Sequence, residues 1–278
     1  MSVVYLHGLG QTPASWESVL RVLGQESGGL CPDLFGLIRG KEVCYENLYQ
    51  AFSRYCGALP APLTLCGLSL GGVLALQYGI EHSDRVGALV LIGTQFVMPK
   101  GLLRLQNAMF RLMPGSMFSA SGLSKADTMR LSRSMMALDF RGGLARLRCP
   151  VLAVCGTGDH ANQKAARQLC RLVPQGELAL IPGAGHEVNT DAPEALAEVL
   201  VRFLRPLPRP FHLFCKEVFH DPSPASHHRG HHRLPPGRPG TGAPDLCPGP
   251  AGIYVGPARP LPHRRPGHPQ PGQLQHPG

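Results

Sequence analysis

Residues 63–72 read Leu63-Thr64-Leu65-Cys66-Gly67-Leu68-Ser69-Leu70-Gly71-Gly72. An apolar run the length of a buried strand stops at Gly67, one serine stands between two leucines, and two glycines lead into a helix-like stretch over residues 73–78. The spacing predicts a strand-to-helix turn so tight that the serine backbone is strained, a nucleophile elbow that only small flanking residues permit. Such a turn lifts Ser69 Oγ above the sheet. It also leaves the Leu70 N–H at a helix N-terminus, where the dipole favours negative charge. A serine that merely caps the helix would leave the same short pattern, so the meaning of the elbow rests on the chain around it.

Upstream, residues 3–6 form a short β-branched and aromatic run ending in His7-Gly8-Leu9-Gly10, a glycine loop at a strand's C-terminal edge, where open α/β sheets hold ligands. His7 is read as a structural histidine bracing that loop, because a later histidine suits the role of a base better. Thr12 or Ser15 caps the helix that follows, with Pro13 in its first turn. Residues 30–36 predict a strand running into a loop that Asp33 caps, and residues 43–59 a helix broken by Pro60-Ala61-Pro62. Downstream, residues 86–93, 150–156 and 178–182 are continuous apolar runs separated by helix-length segments. That pattern implies a parallel sheet covered on both faces. Residues 193–204, after Asp191, read as an amphipathic closing helix.

The interval 95–148 interrupts the alternation. Residues 102–113 and 125–138 have helical spacing, and Ser124-Lys125-Ala126-Asp127 resembles a capping box with Asp in place of Glu or Gln. Helices inserted there predict a small lid. Its methionines, Met109, Met113, Met117, Met129, Met135 and Met136, suit either a pliable pocket wall or a small helical core.

Two further stretches supply what a serine nucleophile lacks. Gly156-Thr157-Gly158-Asp159 puts a carboxylate just beyond one strand, and Gly183-Ala184-Gly185-His186 puts an imidazole just beyond another. A serine hydroxyl needs a base such as histidine, and the imidazolium that forms needs a carboxylate to orient and stabilise it. His7-Gly8, the elbow, the strand-then-G-x-x-D and the late G-x-G-H, in that order over residues 1–205, resemble the α/β-hydrolase superfamily and its compact bacterial esterase-like members. The resemblance implies Ser69 as nucleophile, His186 as general base and acid, Asp159 as orienting carboxylate, and the N–H groups of Leu9 and Leu70 as an oxyanion hole. It implies a serine hydrolase acting on a small ester or thioester, with no cofactor and no metal. An acyltransferase with the same triad and a non-catalytic ligand-binding protein are the alternatives. His82 and His160 are read as solvated bystanders. Against the family pattern the leading two-strand hairpin is missing, so the sheet is expected to have about six strands.

Composition narrows the partners. The formal charge of +9 divides into about +5 beyond Arg205 and about +4 before it, and nine Lys/Arg against Asp127 and Asp139 lie in residues 98–148. The basic charge is therefore local, suits an anionic substrate or carrier, and comes with no nucleic-acid-binding motif. Nine cysteines without paired spacing imply reduced, mostly buried thiols in a cytoplasmic protein; no secretory signal precedes the first strand and no apolar run approaches a membrane span. Residues 206–278 hold 18 Pro, 10 Gly and nine of the 13 His, with no apolar periodicity. That segment predicts a disordered tail, either the product of a frameshift or read-through, since it resembles a GC-rich coding region read out of frame, or a genuine extension; it is expected not to pack on the domain and to bind metal only as loosely as an accidental His tag.

Overall fold

Each long apolar run becomes a strand of one parallel sheet. In the computed structural model, which describes residues 2–24, 29–119 and 121–204, β1 (Ser2–Leu6), β2 (Leu63–Leu68), β3 (Val86–Ile92), β4 (Val151–Gly156) and β5 (Gly176–Ile181) lie side by side in chain order. Val4 sits beside Leu65, Leu65 beside Leu89, Leu89 beside Val151, and Val151 beside Gly176, all in parallel register. The segment 206–278 and Arg205 lie outside the described residues.

Side chains alternate across each strand, which splits the apolar runs between two cores. Val4, Leu65, Leu89, Ala153 and Leu180 face α2 (Tyr45–Gly57), α3 (Leu70–Glu81) and α7 (His160–Leu172). Tyr5, Cys66, Val90, Val154 and Ile181 face α1 (Glu17–Leu23), α8 (Val188–Asp191) and α9 (Pro193–Leu204). Because both faces are buried, neither shows the polar alternation of a half-exposed strand. Emptying such a site, as in Leu65→Ala, typically costs about 2–5 kcal/mol.

The sheet has five strands where the sequence predicts about six. Leu30 makes a single parallel bridge with Val4, donating to Val3 O at 2.8 Å and accepting from Tyr5 N at 2.8 Å, and pairing stops there. Pro32 has no N–H with which to extend the ladder. Asp33 then turns the chain by accepting the Phe35 N–H at 3.2 Å, which is the capping role expected of it.

Three helices intervene between β3 and β4: α4 (Lys100–Leu112), α5 (Ser116–Ser119) and α6 (Lys125–Ser134). The two ends of this insertion are clasped by an antiparallel bridge between Val97 and Asp139, with Met98 N donating to Leu138 O at 3.1 Å and Phe140 N to Phe96 O at 2.9 Å. Asn107 of α4 donates to Ser132 Oγ of α6 at 2.9 Å, and Ser134 Oγ accepts the Tyr45 N–H of α2 at 2.8 Å. Ser124 caps α6 by accepting from Asp127 N at 3.1 Å, but only half of the capping box forms. The shorter Asp side chain accepts from the Ser124 hydroxyl at 2.6 Å instead of reaching back to the backbone. The methionines divide: Met129 and Met135 fill the helical core, whereas Met109 and Met117 are exposed.

Cys31, Cys44, Cys56, Cys66, Cys149 and Cys155 are free thiols. Burial pushes Cys56 and Cys155 up to about 12, so neither ionises to a reactive thiolate near neutrality. Among the described residues no helix is long and apolar enough to cross a membrane.

Candidate active site

β2 ends at Leu68 and α3 begins at Leu70, so a single residue makes the whole turn. Ser69 takes φ 51°, ψ −110°, the one non-glycine among the described residues with positive φ. That conformation is disfavoured by about 1–3 kcal/mol and persists only where surrounding contacts over-determine it. Those contacts are present: Ser69 N–H donates to Ile92 O at 2.8 Å, and Ser69 O accepts the Val73 N–H at 2.9 Å. The glycines are required by close approach. A Cβ on Gly67 would collide with the Gly71 backbone, one on Gly71 with Leu6 O, and one on Gly72 with Thr94 Oγ1.

Asp159 and His186, 27 residues apart in sequence, meet at the C-terminal ends of β4 and β5, with His186 Nδ1 2.7 Å from Asp159 Oδ2. The acid is shielded and the imidazole is reachable: their side chains are 6% and 42% exposed. Burial alone would raise the Asp159 carboxyl; hydrogen bonds from His186 and Asn162 outweigh it and hold that carboxyl below its usual range. His186 is raised above 6.5, chiefly by its hydrogen bond to Asp159 and against the effect of burial. The pair is therefore arranged to stabilise an imidazolium while fixing Nδ1 as the donor, which leaves Nε2 to face the site.

Asn162 and Gln95 belong to this cluster although the sequence reading did not single them out. Asn162 Nδ2 donates to Asp159 Oδ1 and Oδ2 at 2.9 and 2.8 Å and stands 3.2 Å from His186 Nδ1. Gln95 Nε2 donates to Asn162 Oδ1 at 2.7 Å and so holds the amide the right way round. A buried amide three residues beyond the acid, in the first turn of α7, was the available signal; a polar first turn is too common to stand out without the fold.

The exit of β3 joins the parts. Ile92 O anchors the serine, Thr94 crowds Gly72, and Gly93, at φ 54°, leaves room for the imidazole. A Cβ on Gly93 would lie 3.0 Å from His186 Nδ1 and 3.3 Å from Asp159 Oδ2. Among the described residues no hydrogen bond joins Ser69 Oγ to His186 Nε2.

Leu9 lies on the loop that follows β1, and Leu70 is the first residue of α3. The Leu9 loop is tied down by Gln11, whose Oε1 accepts the Gly8 N–H at 3.2 Å. Gln11 and Asn189 exchange amide hydrogen bonds at 3.2 and 3.3 Å, both buried, which links the Leu9 loop to the chain just after His186. Asp191 accepts the Gly185 N–H at 2.8 Å and braces the same chain, instead of capping the final helix. His7 is fully buried, accepts the Leu34 N–H on Nε2 at 3.2 Å and has Nδ1 3.0 Å from Gly8 O. Burial lowers its pKa, so it is a neutral brace as expected. His82 is not simply solvated: its ring packs on Tyr78 with centroids 4.5 Å apart, while His160 is exposed at the start of α7. A hollow of about 300 Å³ between Asp33, Arg39, Lys41 and Asp127 touches none of Ser69, Asp159 and His186.

Comparison with known proteins agrees with this architecture. The model of the alpha/beta hydrolase family matches residues 3–199. The chain is 25% identical over 252 residues to the biotin biosynthesis bifunctional protein BioHC of Teredinibacter turnerae, covering 73% of this chain and 44% of that protein, so it spans under half of that relative's length. It is 26% identical over 246 residues to the pimeloyl-(acyl-carrier protein) methyl ester esterase of Aromatoleum aromaticum, covering 73% of this chain and 98% of that one. The solved esterase EaEST of Exiguobacterium antarcticum superposes with a TM-score of 0.61 at 19% identity, over 73% of this chain and 91% of that one, a likeness of fold.

Proposed function

This chain belongs to the alpha/beta hydrolase family, and we propose that it is a serine hydrolase that cleaves a small carboxylic ester or thioester through an acyl-enzyme on Ser69. The observation that carries the reading is the strained Ser69 backbone at the strand-to-helix turn. A capping serine has no need of positive φ, whereas a nucleophile held clear of its own helix does. The names of the esterase relatives support ester cleavage as the reaction class.

In this reading Ser69 Oγ attacks the acyl carbon while His186 Nε2 takes its proton. Asp159, held by Asn162, stabilises the imidazolium through the 2.7 Å bond to Nδ1. The N–H groups of Leu9 and Leu70 receive the oxyanion, an interaction worth roughly 3–4 kcal/mol per donor in enzymes of this kind. His186 then returns the proton to the departing alcohol or thiol as the acyl–oxygen or acyl–sulfur bond breaks. A water molecule, deprotonated by the same Nε2, releases the acid and restores the serine. The insertion over residues 95–148 acts as the lid, a domain reading that joins residues 1–205 into one hydrolase unit.

Labelling with a fluorophosphonate, followed by peptide mapping, tests the assignment. The expected adduct is on Ser69, lost in Ser69→Ala together with turnover of p-nitrophenyl esters and acyl-CoA thioesters. An adduct on another serine, or turnover surviving in Ser69→Ala, removes it.

A further inference from the structure

Helix α4 is built with two apolar sides, and among the described residues only one is packed. Its inner side is specified by Leu103 and Phe110 and by Asn107, which donates to Ser132 Oγ of α6. On the opposite side Leu102, Leu105, Met109 and Leu112 follow i, i+3, i+7, i+10 and are 45, 59, 57 and 89% exposed. At 3.6 residues per turn they fall within an arc of about 80° and run about 15 Å along the axis. Scattered exposed apolar side chains are ordinary, but three leucines and a methionine in one unbroken helical row are not.

Charge distinguishes what could cover the row. Lys100, Arg104 and Arg111 fall within an arc of about 40° on one flank of the same helix, all exposed. No Asp or Glu occurs between Asp84 and Asp127. A second copy of this chain would therefore bring a matching cation row against this one, with no acid on α4 to pair with it. The stripe is also free of aromatic side chains, unlike the cores of most protein interfaces. A helix whose exposed surface carries an apolar stripe, and whose charged side chains are all cationic, has the pattern of a helix lying in a membrane interface, with leucines at the headgroup–acyl boundary and cations reaching lipid phosphates. We propose that the outer face of α4 docks the protein reversibly on an anionic phospholipid surface. The stripe covers no group of the proposed chemistry, so the inference stands apart from the catalytic reading.

Flotation of the full chain with phosphatidylcholine vesicles, with and without a quarter phosphatidylglycerol, tests the proposal. Binding is expected to the anionic vesicles and to weaken as salt rises. The double change Leu105→Glu/Leu112→Glu should weaken it by at least about tenfold, with circular dichroism and melting temperature unchanged because both side chains are exposed. The triple change of Lys100, Arg104 and Arg111 to Gln should abolish the preference for phosphatidylglycerol. Three outcomes overturn the proposal: no flotation of the wild type; flotation undiminished in the double variant, which would assign binding to another basic segment; or a wild-type dimer that the double variant dissociates, which would make a second copy the partner of the stripe.

Discussion

Asn162→Ala is the change that separates the proposed mechanism from a merely well-packed loop. The side chain gives Asp159 a forked hydrogen bond at 2.9 and 2.8 Å and comes no closer to the reaction than His186 Nδ1 at 3.2 Å. A hydrogen bond to an ionised group contributes about 1.5–3 kcal/mol. Part of that holds the resting state as well as the transition state, so only the difference slows turnover. A differential of about 1.4 kcal/mol gives a tenfold loss in kcat/KM. The sign of the pH effect follows from the same geometry. With the amide removed, the Asp159 charge is shared with one donor fewer, His186 is raised further above 6.5, and the acid limb of the kcat/KM profile moves to higher pH. The assay is steady-state turnover of p-nitrophenyl butyrate across pH, with KM expected to stay constant. Gln95→Ala, which only frees the Asn162 amide to turn, should act in the same direction and more weakly. An acid limb that stays put or moves to lower pH, or a change confined to KM, would refute the positioning role.

Other substitutions read other parts of the site. His186→Ala should be as damaging to turnover as Ser69→Ala and Asp159→Asn less so, because the three act as a unit; Asp159→Asn should also move the acid limb to lower pH, since Asp159 is the main cause of the raised His186, and a larger loss in Asp33→Asn would name a different acid. Ser69→Gly should melt higher than Ser69→Ala by the equivalent of about 1 kcal/mol or more, because glycine relaxes the positive φ that alanine keeps; equal melting temperatures would mean the turn is unstrained. Gln11→Ala leaves the Gly8 N–H and Asn189 Oδ1 unpaired, while Asn189 Nδ2 keeps its bond to Ser15 O, and should destabilise the fold by about 1–3 kcal/mol, measured by urea unfolding. His7 is lowered on folding, so the unfolded chain binds the extra proton and this contribution is present above 6.5 and lost as pH falls through that value; a melting temperature that drops below that pH in the wild type and less in His7→Asn checks it.

The parts that could be read from the sequence are those written in short, local patterns. Five strands announce themselves as apolar runs, three of which end in glycine at Gly67, Gly93 and Gly156, and the closing helix carries its own amphipathic spacing. Asp159 and His186 stand out because each follows a strand directly, and the structure brings that pair together. The Leu30 strand failed because Pro32, two residues on, denies the ladder its next donor, a local cue that a run of apolar residues masks. Asn162, Gln95 and the Gln11–Asn189 exchange were illegible for a different reason. Gln11 and Asn189 are 178 positions apart, and nothing in either neighbourhood specifies the other. The methionine cluster looked like one feature in the sequence and is two, since Met129 and Met135 are buried on and just after α6, whereas Met109 on α4 and Met117 on α5 are exposed.

The clasp between Val97 and Asp139 sets how freely this scaffold can be remade. Two chain ends held side by side by backbone hydrogen bonds at 3.1 and 2.9 Å form a socket, and everything between them is a plug that the sheet does not need to close upon itself. Changing the length of a segment whose ends are already fixed adds only about 0.6 kcal/mol of closure entropy per doubling. Residues 98–138 can therefore be exchanged as a cassette, by shuffling or by duplication and drift, while Ser69, Asp159 and His186 stay in register. Gln95, Phe96, the Ser134 contact to α2 and the buried side chains Leu123, Leu131 and Met135, which join the core on that face, have to be kept or replaced in kind. Variation among proteins built on this frame should accordingly accumulate inside the socket.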